Sequence, residues 1–191
     1  VTLLHDCSSR EARRWSTTPL EVAASHPLAT QAVVARVTYT AQPSCAPVVA
    51  ADSDGEDSGS ECEARLWDLT RPLEGDCSLE LLTFDDPEGR NTFWHSSAHV
   101  LGAALEREFG GMLTVGPAVQ SGFYYDVFLG ERRLSEADFP AIQQAAEAIV
   151  RSGERFRRLV VSREEALELF AGNPFKVDLI ERRVPHGAST V

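Results

Sequence analysis

Apolar residues at Trp94, Ala98, Leu101, Leu105 and Phe109 are spaced four, three, four and four apart, which is one stripe along an α-helix. The helix this predicts over residues 92–109 ends at Gly110-Gly111, where glycine can take the left-handed conformation that closes a helix. Before it, short apolar or alternating runs predict strands at 2–4, 32–37, 65–69 and 78–84, with a turn over 72–76. Thr18, Pro19 and Glu21 supply an N-cap, a proline at the first helical position and a capping-box glutamate, so a short helix to about Ser25 is expected.

After the long helix the pattern predicts strands at 113–115, 123–128, 155–161 and 175–180. Ser135 and Asp138 suggest a capped helix start, with Leu134 and Phe139 placed as a hydrophobic staple, and this helix carries Ile142, Ala146 and Ile149 to a stop at Gly153. Ser162 and Glu165 open a further capping box. The order αββαβαβ with a long leading helix implies an α+β fold.

Between Ala41 and Ala64 the pattern disappears. This stretch holds Asp52, Asp54, Glu56, Asp57, Glu61 and Glu63 and no Lys or Arg. A segment so polar cannot bury enough surface to offset its ordering entropy, so it reads as a disordered insertion at 41–64 within the first small domain.

Composition changes the picture in three respects. With 191 residues, 43% hydrophobic and 25% charged, the chain can form one or two modest cores. The formal net charge of -11 argues against gripping nucleic acid with the whole surface. The acidic insertion accounts for six of the 29 acids, however, leaving 23 against 18 bases, so a local basic surface for RNA stays open.

No apolar run approaches the roughly 18 residues that span a bilayer, and no secretory signal stands at the start. A soluble intracellular protein without membrane partners is expected. Cys7, Cys45, Cys62 and Cys77 show no CxxC spacing and read as free thiols in a reducing compartment. The chain opens at Val1 and its one methionine is Met112, so the sequence reads as a piece of a longer protein.

The candidate chemistry centres on His95 and His99, four apart on the long helix and so on one face. Spacing alone leaves three readings open. The pair can be half of a metal site, although a third and fourth ligand are needed. His95-Ser96-Ser97-Ala98-His99 lacks the glutamate of the HExxH metalloproteases. The pair can also hydrogen-bond without chemistry, or act without metal to orient water or a sugar hydroxyl. In Gly122-Phe123-Tyr124-Tyr125-Asp126 only one tyrosine can face a pocket beside the helix, and ordinary core packing is the plain alternative. Gly116-Pro117 marks a turn. Arg155, Arg157 and Arg158 can meet phosphate or form a solvated edge. Lys176 is the single lysine beside 17 arginines, which is either chance or the mark of a task arginine cannot perform.

These residues also carry a family resemblance. Trp94-His95-Ser96-Ser97-Ala98-His99-Val100-Leu101-Gly102, Gly116-Pro117, Gly122-Phe123-Tyr124-Tyr125-Asp126 and Phe175-Lys176-Val177, in that order, resemble the editing domain of eukaryotic-type threonyl-tRNA synthetases. Thr17 to Ala23, Leu66-Trp67-Asp68-Leu69 and Pro72 to Cys77 resemble the TGS domain, a ubiquitin-like β-grasp. The resemblance implies a TGS domain over 1–86, interrupted by the acidic insertion, and an editing domain over 87–191 that is incomplete at its C-terminus.

It implies further that the site removes serine from mischarged threonine tRNA. Discriminating serine from threonine by one missing methyl is worth only about 1–3 kcal/mol, which makes a second, hydrolytic site necessary. Carried over by motif, His95, His99 and Lys176 are the catalytic residues. Tyr125, Gly116 and Pro117 form the substrate pocket, no metal is used, and the partner is the acceptor end of tRNA(Thr). The family completes this pocket with a later Asp-x-Cys-x-x-x-His-like segment that the sequence does not contain, so the chain alone is expected to be inactive in hydrolysis. No cofactor is expected, because ATP and zinc belong to the aminoacylation core, and a homodimer is expected only of the full-length parent. The scarcity of lysine points to a mitochondrial parent, with the cytoplasm as the alternative. A non-catalytic relative, an RNA-binding mitochondrial ribosomal protein, is the competing reading.

Overall fold

The computed structural model describes residues 1–41 and 64–190. The insertion expected over 41–64 lies, but for its two end residues, outside them. The described residues divide into two compact units, one reaching as far as Phe93 and the other starting at Trp94.

The first unit is built on a five-stranded mixed sheet. Its strands are β1 (Thr2–Leu3), β2 (Ser8–Ser9), β3 (Ala32–Tyr39), β4 (Arg65–Trp67) and β5 (Cys77–Thr83), in the order β2-β1-β5-β3-β4. β1 and β5 run parallel, with Thr2 opposite Ser78, while the other pairs are antiparallel. Helix α1 (Pro19–Val22) starts with the expected capping box, Thr18 and Glu21 each binding the other's backbone N–H. It ends sooner than expected, and a 3₁₀ turn over Pro27–Thr30 follows. Val22 and Ala23 pack with Leu3, Val37, Leu79 and Leu81 in one apolar core. Burial of this kind supplies about 1.5–3 kcal/mol per large side chain. Cys7 is exposed and Cys77 buried, both as free thiols.

Helix α2 spans Pro87–Phe109, starting five residues before the predicted start at 92. The reason is local. Asp86 Oδ2 accepts hydrogen bonds from the Thr83 N–H (2.7 Å) and hydroxyl (3.1 Å), which closes the turn out of β5. Pro87 then occupies a position that needs no N–H partner. Within the predicted stripe Ala98 and Leu105 are buried, and Gly110 closes the helix with φ of 64°.

The second unit departs from the expected strands. Residues 123–128 do not form one strand: β8 (Gly122–Phe123) pairs with β7 (Ala118–Val119), while β9 (Val127–Phe128) pairs with β6 (Met112–Leu113). The chain changes partner at Tyr124-Tyr125, where neither ladder continues. Residues 155–161 are likewise irregular except for β10 (Val161–Ser162), which pairs with β11 (Ser189–Thr190).

Residues 175–180 are helical, not extended. They belong to α5 (Pro174–Arg183), whose cap Asn173 accepts from the N–H groups of Phe175 (3.1 Å) and Lys176 (3.2 Å). Asn-Pro at a helix start is the signal that outweighs the β-like composition. Helix α3 (Phe139–Ser152) ends at Gly153 with φ of 62°, preceded by the Ser135–Asp138 capping box. Helix α4 (Arg163–Leu169) opens with the box formed by Ser162 and Glu165. Ala166, Ile180 and Val184 form a small core between α4 and α5. The architecture is α+β, although the element order differs from the one periodicity predicts. Among the described residues no helix is long and apolar enough to cross a membrane.

Candidate functional site

One helical turn separates His95 from His99, and the rings use that proximity. Their Nε2 atoms lie 3.2 Å apart, and the rings stack with centroids 4.9 Å apart at 30°. A hydrogen bond between two imidazole nitrogens requires a proton on one and a lone pair on the other. The pair therefore offers one donor and one acceptor in fixed relation, and both rings are exposed.

Tyr125 holds the third position. Its ring meets the His99 ring edge-on, with centroids 6.0 Å apart at 65°. Two glycines make this possible. A Cβ on Gly102, three residues after His99 on α2, would stand 2.8 Å from the Tyr125 ring, and one on Gly116 would stand 2.1 Å from it. Burial pushes the Tyr125 phenol above its usual range, and the Glu106 carboxylate adds to the effect. The shift keeps the hydroxyl protonated further into the alkaline range than a free phenol. Tyr124, its neighbour, is 45% exposed, so a single tyrosine faces the helix, as the sequence suggests.

The remaining expected residues are placed as follows. Gly116 forms one wall of the Tyr125 slot, and Pro117 is exposed in the irregular stretch between β6 and β7. Lys176 is half-buried in the first turn of α5. That turn is tied to β6 by the Asn173 side-chain amide, which donates to the Leu113 carbonyl at 2.9 Å. It is tied to β9 by the Phe175 ring against Phe128, centroids 5.5 Å apart. Lys176 therefore rises from a helix end docked on the β6–β9 ribbon, of which β9 begins two residues after Tyr125.

Phe156 is the residue that sequence reasoning missed. Its ring lies 6.4 Å from His99 at 69° and is 59% exposed. An aromatic inside the run Arg155-Phe156-Arg157-Arg158 was the available signal, hidden by reading that run as a strand. Gly102 was part of the quoted motif, yet nothing short of the Tyr125 contact reveals its role. Among the described residues no group of three or more His, Cys, Asp or Glu is arranged to hold a metal ion.

No protein-family model matches the chain. Curated proteins do. The mitochondrial threonine–tRNA ligase 1 of Arabidopsis thaliana is 41% identical over 181 residues, covering 93% of this chain and 22% of the relative. The cytoplasmic threonine–tRNA ligase of Caenorhabditis elegans is 40% identical over 190 residues, 98% of this chain and 23% of the relative. The chain is a homologue of one segment of the threonine–tRNA ligases. A mitochondrial threonine–tRNA ligase of Mus musculus is 48% identical over 133 residues, 69% of this chain and 18% of its own length. The chain thus spans about a fifth of the length of these relatives. Mitochondrial and cytoplasmic relatives match alike, and their ligase names do not favour the non-catalytic ribosomal alternative.

Proposed function

We propose that this chain is the N-terminal, tRNA-contacting part of a threonine–tRNA ligase, in which the His95–His99 pair hydrolyses seryl-tRNA(Thr). The observation that carries this reading is the 3.2 Å bond between the two Nε2 atoms, set against the edge of Tyr125. In the proposed reaction an aminoacyl ester lies over the pair. One imidazole of the pair accepts a proton from water, whose oxygen attacks the ester carbonyl carbon. The ribose oxygen leaves and takes up a proton, giving free serine and intact tRNA. An aminoacyl ester is activated enough that a held water suffices, so no metal or ATP enters this step.

The other residues take supporting parts. Tyr125 lines the pocket, Gly116 and Pro117 shape its floor, and the Lys176 ammonium attracts the ester oxygens. The mixed sheet with α1 on its core supports a TGS assignment for the first unit, and the histidine helix supports an editing assignment for the second. The acceptor end of tRNA(Thr) is the proposed partner, and dimerisation belongs to the full-length protein. The mitochondrial assignment rests on arginine in place of lysine at 17 of 18 basic positions, and imaging of a tagged full-length protein decides it.

The test is deacylation of seryl-tRNA(Thr) by a protein carrying this segment together with the remaining ligase sequence. His95→Ala and His99→Ala are each expected to slow hydrolysis by about 100-fold or more while leaving threonine attachment intact. Unchanged hydrolysis in both variants would overturn the reading.

A further inference from the structure

Trp15 departs from the backbone conformations that L residues prefer. Among the described residues only Cys7 and Trp15 combine a side chain with positive φ, and for Trp15 the angle is 60°. The left-handed region is costly for a bulky side chain. Burial does not compensate, since the indole is 52% exposed.

The strained conformation is nevertheless fastened. The Trp15 N–H donates to the Leu73 carbonyl at 2.8 Å, and the Leu73 N–H donates to the Thr17 carbonyl at 2.9 Å. Within the loop the Arg13 N–H donates to Thr17 Oγ1 and the Thr17 N–H to the Arg13 carbonyl, both at 2.9 Å. Leu73 is itself 1% exposed in the core. A loop anchored on both sides to a buried residue presents the indole to solvent as a fixed surface. Strain retained at an exposed aromatic points to a task outside folding.

The residues just before Trp15 supply the complementary chemistry. Arg10, Arg13 and Arg14 line a cleft of about 610 Å³, together with Glu11, Thr40 and Asp76. Arg14 Nε donates to the Glu74 carbonyl. Arg10 donates to the Val22 carbonyl at 3.2 Å and to Ser25 Oγ at 2.7 Å, and lies 3.7 Å from Asp6. These bonds hold two guanidinium groups in place while the net charge of the whole chain is -11. The cleft thus carries three guanidinium groups, contributed by the residues that immediately precede Trp15, against the two carboxylates of Glu11 and Asp76, in a chain that is acidic overall.

We propose that Trp15 and this arginine-lined cleft form an RNA-binding surface, with the guanidinium groups on backbone phosphates and the indole stacked on an unpaired base. Cations beside an exposed aromatic ring match single-stranded or looped RNA, whose phosphates and unstacked bases both need partners. The relatives are ligases of tRNA by name, which makes RNA the macromolecule in reach. The inference rests on the tRNA-binding part of the proposed function and is independent of ester hydrolysis.

Trp15→Asn separates this task from a structural one, because asparagine tolerates a positive φ. Binding of an unmodified tRNA(Thr) transcript to the chain is expected to weaken about tenfold, the scale of one lost stacking contact. Its thermal midpoint is expected to stay level or rise. Arg13→Ala, which spares the backbone bonds, is expected to weaken binding and to lower the slope of log K against log salt by about one. Unchanged affinity in both variants, or no binding of the transcript at low salt, overturns the proposal. The binding assay uses uncharged transcript and reads no ester hydrolysis, whereas the deacylation test reads hydrolysis alone, so the two readings fail separately.

Discussion

The ring of Tyr125 lies where a side chain on Gly116 would begin, 2.1 Å from the position of its Cβ. Gly116 has no positive φ, so glycine is required there by the ring and not by the backbone. Gly116→Ala is expected to cost about 1–3 kcal/mol of stability, the usual range for overpacking, and to displace Tyr125 from His99. In a Tyr125→Ala background the same substitution should cost much less, because the ring it meets is gone, while seryl-tRNA hydrolysis stays low. Denaturant unfolding and deacylation rates of the single and double variants test both statements.

Gly89 gives a similar contact with the opposite sign from the usual rule. Glycine to alanine inside a helix ordinarily stabilises by about 1 kcal/mol. Here the added Cβ would stand 1.9 Å from the Thr83 carbonyl oxygen, a backbone atom that cannot turn aside. Gly89→Ala is expected to lower stability, and a raised thermal midpoint would contradict the contact.

Tyr39 couples the first core to alkaline pH. Its hydroxyl accepts from the Glu74 N–H at 3.0 Å, and burial pushes its pKa up to about 12 from the usual 10. A raised folded-state value means the neutral phenol is favoured by folding. The stabilisation is complete below pH 10 and is lost as pH rises from 10 through 12, with a swing of about 2–3 kcal/mol. Tyr39→Phe is expected to be less stable at neutral pH and to lose less stability over that alkaline range.

Asp86 behaves conversely. The Thr83 N–H and hydroxyl hold its carboxyl below the usual range, so its contribution is present above that range and fades as pH falls through the depressed value. Asp86→Ala is expected to destabilise by about 1–2 kcal/mol near pH 7. The difference from the parent chain should shrink in acid, as urea unfolding at several pH values would show.

Features encoded within one helical turn were legible from residue order. The Thr18–Glu21 and Ser162–Glu165 capping boxes, the Gly153 stop, the apolar stripe of α2 and the shared face of His95 and His99 all follow from side chains three or four positions apart. Helix hydrogen bonds close over the same distance, so local sequence suffices to specify them. The same holds in principle for α5, where Asn173-Pro174 was a readable start signal that the apolar run after it concealed.

What required the tertiary structure were choices between distant partners. The break at Tyr124-Tyr125 falls where the segment passes from pairing with β7 to pairing with β6. The Tyr125 slot exists because Gly102 and Gly116, 14 positions apart, converge on one ring. Phe156 reaches His99 across 57 positions. Such pairings are decided by which surfaces meet once the chain has collapsed, and no spacing rule along the sequence carries that information. The residue types and the histidine spacing came from the sequence, whereas the third wall of the site came from packing.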